Sequence, residues 1–575
     1  MTPPSRTPRV VLIAPKSGGN DYYFDFSLGS AYENLGLGYL ASALSQAGFS
    51  ATVLDAPATQ LDRDAALAIM RNEQPRVVGL SLINETLQEG EDLAKLLKRQ
   101  FPGVHISVGG HLPSNAASEV LSGCGAFDSA VIGFGEETFP ELCERIANDR
   151  SLEGLPGVAY RTASGIVHNR RRLLSSDIDR IPFPDRSALR YKISQGWLPV
   201  ARMITSRGCP YHCAYCTTPA FMDAHGLKGR HRWIPRSPEN VVDEMEELVR
   251  QLGVKVVLFC DDEFVGGTEE GRDRVSNIAR LIRERELSLH FWAMFRVDDF
   301  GPDDDQLIAD LKHAGLWGVF LGIEAGSDGQ LKTYRKGTSV AENRRALELF
   351  KHHNIVVEMG AITFHPEVSY DELLSTADFL LEVGEASLLR HFASQLVLYP
   401  GDGKLVQRLQ KSGLLLPTFS YRNPSDYRFA VPQIGLWAKV LEESSDAFQR
   451  QDTIVWSARR VAQMLGDMVV VTEASSAGDL LAIRTELHRI DGLVGEANYQ
   501  FFCEGVRDAS AGANRSKLVS RLRHGFAHSE RQVRMFAEPL RRLLDMRDEW
   551  DSLRDGDVMG LFYLSEAWAD LSLSL

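Results

Sequence analysis

The chain has 575 residues, too many for one hydrophobic core, and length alone predicts three or four domains. Hydrophobic residues make up 44% and charged residues 24%, as in ordinary globular proteins, and no apolar run reaches the roughly 18–20 residues of a membrane span. The formal net charge of −14 argues against bulk electrostatic binding of nucleic acid, and seven cysteines, odd in number and unevenly spaced, do not make a disulfide framework. The N-terminal "MTPPSRTPRVVLIAP" lacks the layout of a signal peptide, so a cytoplasmic protein is expected, with neither membrane nor nucleic acid as partner.

Residues 9–150 alternate strand and helix signals. "RVVLIAP", "SATVLD", "PRVVGLSL", "HISVGG" and "FDSAVIGFGEE" read as strands, with amphipathic helical stretches such as "GLGYLASALSQAG" and "EGEDLAKLLKRQFPG" between them. Five such units predict a doubly wound, flavodoxin-like domain over residues 1–150, with its ligand site at the carboxyl ends of the strands. Residues 151–195 read as a linker, with a small hairpin turning at "ASG" and a proline-punctuated stretch, "IDRIPFPDRSAL". From 196 to 402 the alternation resumes in six βα units, beginning with "ARMITSRGC" and ending with "SQLVLYP". Six units are too few for a closed eight-fold barrel and predict an open, partial (βα)6 barrel. Residues 403–575 read as a mainly helical domain that caps the barrel and shapes a substrate pocket; "PLRRLLDMRDEW" sets Leu540, Leu543 and Leu544 on one helical face.

Three cysteines, Cys209, Cys213 and Cys216, crowd into "SRGCPYHCAYC". Thiolates in a C-x3-C-x2-C loop converge on one centre if the backbone wraps around it, and they are natural ligands for an iron–sulfur cluster or for zinc. Structural zinc needs a fourth ligand, and His212 lies inside the loop. Three ligands on a four-iron cubane leave one iron open. Gly208 and Pro210 suit a tight, wrapping turn.

A C-x3-C-x2-C loop after the first strand of a partial barrel resembles the radical S-adenosylmethionine (SAM) superfamily. The resemblance implies a 4Fe–4S cluster whose open iron binds SAM, and reductive cleavage of SAM to a 5′-deoxyadenosyl radical. Tyr215 matches the family's aromatic beside the adenosyl group. In "VVLFCDDEF", Asp261 and Asp262 stand where many members hold the SAM amino group, and a carboxylate facing an ammonium is a charge-assisted pair; a helix N-cap is the other reading. In "FRVDD", Arg296 is a candidate for the SAM carboxylate by bidentate pairing, or one half of a surface ion pair. Glu324 in "GIEAGS" matches an acidic position near the ribose or amino group. "TFHPEVSYDE" departs from the family's glycine-rich motif, and its His365 reads either as facing substrate or as packing. Cys260 and Cys503 read as buried thiols without a role. Arg515, Lys517, Arg521 and Arg523 read as a solvated helix face or as a contact for an anionic substrate.

The N-terminal domain repeats a signature in "GLSLINET", "ISVGGHLPS" and "VIGFGEET". It contributes Ser81, Thr86, Gly109, Gly110, Gly133, Gly135 and Glu136 at strand ends, where missing side chains let a planar ring approach. With "NLGLGYLASAL", this resembles the cobalamin-binding domains fused ahead of radical SAM barrels; a flavin or nucleotide site is the alternative. "APKSGGNDYYFDFSLGS" contains no histidine where related domains carry a lower axial ligand, so a cobalamin without a histidine lower ligand is expected. The resemblance over residues 9 to about 400 points to cobalamin-dependent (class B) radical SAM methyltransferases. It implies that one SAM methylates cobalamin while a second yields the radical that takes hydrogen from the substrate, which then takes the methyl group. The implied substrate is a specialised metabolite methylated at an unactivated carbon or a phosphinate phosphorus, and the implied partner is an electron donor such as flavodoxin or ferredoxin. Ring contraction, cyclisation and tRNA modification are the rival outcomes.

Overall fold

The run Arg9–Ala14 is apolar at five successive positions, the pattern of a strand buried on both faces, and it forms β1 inside a mainly parallel sheet. The computed structural model describes residues 8–16, 33–56, 63–301, 304–400, 403–471 and 474–546. They divide into two compact units, residues 1–211 with 217–293, and residues 212–216 with 294–575.

In the first unit the sheet continues with β2 (Ser50–Asp55), β3 (Val77–Ser81), β4 (His105–Gly109), β5 (Ser129–Val131), β6 (Val158–Thr162) and β7 (Gly165–His168). The order is β2-β1-β3-β4-β5-β6-β7, and the first five strands run parallel. This is the flavodoxin-like order, with its switch point between β1 and β3. The helices α1 (Leu35–Gln46), α2 (Arg63–Glu73), α3 (Leu87–Gln100), α4 (His111–Gly123) and α5 (Gly135–Ala147) connect the strands. The hairpin expected in the linker is β6 and β7, and it extends the sheet antiparallel to β5. The rest of the linker is packed too. Ile178 shares a small core with Met222 and Ile234. Arg186, 6% exposed, pairs with Glu33 and with Glu244, which in turn holds Arg236.

After α6 (Ser187–Ser194) the chain enters β8 (Val200–Met203) and then β9 (Ser206–Arg207), which pairs antiparallel with β10 (Ile234–Pro235). Between them lie the cysteine loop and α7 (Thr218–Ala224). The helix α8 (Pro238–Leu252) starts where the Ser237 side chain accepts from the Asn240 amide with proline at the first helical position, and it stops at Gly253 in the left-handed region. Next come β11 (Val256–Phe259), α9 (Glu269–Glu284) and β12 (His290–Arg296); β11 runs parallel to β8 and to the start of β12.

The end of β12 belongs to the second unit. There follow α10 (Asp305–His313), β13 (Leu316–Glu324), α11 (Asp328–Tyr334), α12 (Val340–His352), β14 (Val356–Ala361) and α13 (Tyr370–Glu382). β13 and β14 are parallel, with a register shift between Gly322 and Glu324. The sixth barrel strand, expected at "SQLVLYP", is only a single parallel bridge from Gln395 to Phe364. The strand stops because Leu398 gives both its amide and its carbonyl to Ser425 instead of a ladder.

The remaining helices are α14 (Leu389–Ala393), α15 (Lys404–Lys411), α16 (Pro432–Glu442), α17 (Ser445–Val471), α18 (Ala474–Ser510), α19 (Arg515–Val533) and α20 (Ala537–Asp545). In α20, Leu540 and Leu543 are buried and Leu544 partly so; the end of that stretch lies outside the described residues. No helix among the described residues is long and apolar enough to cross a membrane.

Candidate active site

At the carboxyl ends of β3, β4 and β5 the first unit holds an open pocket, lined by Ser81, Gly109, Gly110, Gly133, Gly135 and Glu136 from the sequence signature. Thr86, from the same signature, is not among its walls. Its hydroxyl accepts from the Ile83 amide (3.0 Å) and closes the turn into α3. Residues that the sequence reading missed complete the lining: Gly36, Leu37 and Leu40 from α1, with Gly79, Ser107, Phe134 and Phe139. The signal for the three on α1 was "NLGLGYLASAL", which contains them.

The glycines do different work. Gly110 sits at φ 100°, where a side chain is strained, and a Cβ there would lie 2.9 Å from the Leu82 carbonyl. A Cβ on Gly133 would meet the His225 ring at 2.5 Å, so that glycine makes room for His225. A Cβ on Gly109 would meet nothing closer than 3.9 Å, so its face is left open to the pocket. Ser107 Oγ is buried in this lining without a hydrogen-bond partner. An apolar cradle with open backbone and an orphaned hydroxyl fits a flat heteroaromatic group that accepts one hydrogen bond.

Glu136 ties this pocket to the cysteine loop. Its carboxylate accepts from Arg207, which is buried, lies over the Phe134 ring at 4.2 Å and stands two residues before Cys209. Asp261, just past β11, holds the other side of the loop's entry. Its Oδ1 accepts the Thr205 and Ser206 amides (2.7 and 2.8 Å) and its Oδ2 the Thr205 hydroxyl (2.6 Å). Burial pushes its carboxyl up to about 6, against those hydrogen bonds. Asp262 is turned differently: it keeps solvent contact and accepts from Thr218 Oγ1 (3.2 Å). Desolvation by the surrounding protein raises it above the usual carboxylate range. His111, next to Gly110, approaches Thr217 Oγ1 (3.3 Å), directly after Cys216. Cys260, expected to be buried, instead keeps solvent contact at the end of β11, whereas Cys503 is buried as expected.

In the second unit, Cys213 and Cys216 are linked by a turn in which the Cys216 amide donates to the Cys213 carbonyl (3.2 Å). The Ala214 amide donates to the Tyr334 carbonyl (2.7 Å) at the end of α11. Tyr215 packs edge-to-face on the Tyr334 ring at 5.7 Å. Burial holds the Tyr215 phenol well above its ordinary range, reinforced by the Glu324 carboxylate. Glu324 has φ 63° at the end of β13 and pairs with buried Lys336 (2.8 Å), a residue that the sequence reading missed. Arg296, 5% exposed, directs Nη1 at Cys213 Sγ (3.5 Å) while Nε and Nη2 grip both Asp298 oxygens (2.9 and 3.1 Å). His365 is 1% exposed, stands edge-on to Tyr334 at 5.4 Å, and is pushed down to about 4 by burial. Three residues of the basic run on α19 are ion-paired, Arg515 with Glu443, Lys517 with Asp508, and Arg521 with Glu504 and Asp508.

The chain matches the B12 binding domain over residues 26–143 and the radical SAM superfamily over residues 203–380. It therefore joins a B12-binding domain to a radical SAM domain. An uncharacterized methyltransferase of Pyrococcus horikoshii is 26% identical over 353 residues, which span 61% of this chain and 74% of that one. The cytidylyl-2-hydroxyethylphosphonate methyltransferase of Streptomyces wedmorensis is 23% identical over 512 residues, spanning 79% of this chain and 91% of that one. Among solved structures, the cobalamin-dependent SAM radical enzyme OxsB, with aqua-cobalamin and SAM bound, shares the fold at a TM-score of 0.70 and 16% identity, covering 98% of this chain and 84% of that one.

Proposed function

We propose that the chain is a methyltransferase that works on an unactivated carbon, or a phosphinate phosphorus, of a small specialised metabolite. Cys209, Cys213 and Cys216 hold a 4Fe–4S cluster, and the pocket at the ends of β3–β5 takes cobalamin. The observation that carries the reading is the Glu136–Arg207 pair: a pocket wall grips the residue that leads into the first cysteine. Relatives named as methyltransferases, matched over 74% and 91% of their own length, support methyl transfer. Relatives named as magnesium-protoporphyrin IX monomethyl ester cyclases, matched over 56–68% of theirs, make cyclisation the second reading.

With its cofactors bound, the site is supplied with a one-electron reductant, a SAM-derived radical and a methyl donor. The chain's own residues bind and orient. Tyr215 offers a ring face beside the cluster loop, and Glu324 and Asp262 offer carboxylates to the SAM ammonium and ribose. Asp261, with both oxygens engaged by Thr205 and Ser206, positions the loop instead. In the pocket, Ser81 and Ser107 offer hydroxyls, and Gly109, Gly133 and Gly135 offer open backbone. The cobalamin would be held without a histidine as lower ligand. The stretch 17–32, where one would stand, lies outside the described residues, but its sequence contains none. His105 is engaged with Ser129 (2.8 Å) on β4 and is pushed down to about 4, chiefly by burial. The electron donor is of the flavodoxin or ferredoxin class.

Anaerobic reconstitution with iron, sulfide and hydroxocobalamin tests the reading. The protein should retain one cluster and one cobalamin, the latter with the spectrum of a form that lacks a nitrogen lower ligand. With SAM and a reductant it should release 5′-deoxyadenosine, and Cys213→Ala should release none. Failure to retain cobalamin, or deoxyadenosine formation that survives Cys213→Ala, overturns it.

A further inference from the structure

Arg296 closes β12 in a rigid setting. Its amide donates to Asp299 Oδ2 (2.6 Å), and its Nη2 donates to the Lys336 carbonyl (2.7 Å) as well as to Asp298. The planar fork formed by Nε and Nη2, the edge that suits a carboxylate, is already closed on Asp298. What the guanidinium presents to the cysteine loop is Nη1, at 3.5 Å from Cys213 Sγ. That is the geometry of a charge-assisted N–H···S bond from a buried cation to a metal-binding sulfur. It is poorly suited to the two-pronged carboxylate clamp expected from sequence.

We propose that Arg296 and Asp298 act as an opposed pair of positioning residues that set the reduction potential of the centre held by Cys213. This rests on the reading of Cys213 as a cluster ligand. The step concerned is the addition of one electron to the cluster from a low-potential donor. That electron increases negative charge on the cysteine sulfurs, and a nearby N–H donor with positive charge favours the reduced form. Asp298 returns a negative charge to the same guanidinium and restrains the effect. Removing Arg296 therefore lowers the potential, and neutralising Asp298 raises it.

The test is a potentiometric titration of the reconstituted full-length protein with dithionite, without SAM, read by the electron paramagnetic resonance of the reduced cluster. Arg296→Met should shift the midpoint to lower potential, Asp298→Asn to higher, and Arg296→Lys to a value between wild type and Arg296→Met. Opposite signs are the signature, because a merely structural defect would move both variants the same way. Unchanged midpoints, or shifts of one sign, overturn the proposal. If Arg296→Met holds no iron, Arg296→Lys and Asp298→Asn still report, and an unchanged potential in both overturns it. A wild-type protein that assembles no cluster would instead overturn the proposed function, and iron analysis separates the two failures.

Discussion

At Gly208, a Cβ would lie 2.0 Å from the Arg232 carbonyl, and φ is 77°, so neither space nor backbone admits a side chain. One residue later the chain presents Cys209, so a single missing side chain fixes where the cysteine loop begins. Lys336 and Glu324 show the electrostatic counterpart. Their side chains are 4% and 12% exposed and pair at 2.8 Å, so each neutralises a charge that would otherwise be costly to bury. Lys336→Met should lower stability by about 3 kcal/mol, read from urea unfolding, because it leaves the Glu324 carboxylate without its cation. Adding Glu324→Gln should restore part of that loss. If the double variant were no more stable than the single one, the ion pair would not be the source of the effect.

Among the elements, what was legible followed from local pattern. The apolar runs of β1 to β4, the "ASG" turn of the hairpin and the three cysteines each announce themselves within about ten residues. Pairings across the fold do not: Glu136 meets Arg207 from 71 positions away, and Arg296 meets Cys213 from 83. "SQLVLYP" failed for a related reason, since its composition suits a strand but Ser425 captures the backbone of Leu398. Asp261 is the instructive intermediate case. "VVLFCDD" placed it correctly at a strand end, but nothing local showed that its oxygens face Thr205 and Ser206. Its carboxyl rises from 3.8 to about 6 through burial, so the folded chain binds that proton more tightly than the unfolded chain. The stability it contributes is full below about pH 4 and is lost as pH climbs through about 6. Asp452, which accepts the Leu389 and Arg390 amides at the start of α14, shifts the same way to about 6, again chiefly through burial. Asp261→Asn keeps an oxygen for the two amides and should flatten part, not all, of the decline in unfolding midpoint between pH 4 and 6. An unchanged slope would mean that Asp261 does not titrate there.

Over the whole molecule, the proposed chemistry divides along the chain. Every wall of the proposed cobalamin pocket belongs to the first unit, as do Cys209 and Asp262, whereas Cys213, Cys216, Glu324, Lys336 and Arg296 belong to the second. None of these cysteines and charged residues lines the pocket, so cobalamin binding should be removable without loss of SAM cleavage. Gly109 is the place to test it. It lies at the end of β4 in the pocket lining, and the nearest atom to where its Cβ would stand is Val131 Cβ at 3.9 Å, so a side chain there has room to start. Gly109→Trp should fill enough of the pocket to exclude the cofactor while leaving Cys209, Cys213 and Cys216 untouched. The reconstituted variant should keep its iron and still form 5′-deoxyadenosine, but retain no cobalamin and yield no methylated product. Gly109→Ala, whose methyl group has room, should behave as wild type. Retention of cobalamin by the tryptophan variant would move the cofactor out of this pocket. Loss of deoxyadenosine with iron intact would show that SAM cleavage depends on the cobalamin being present.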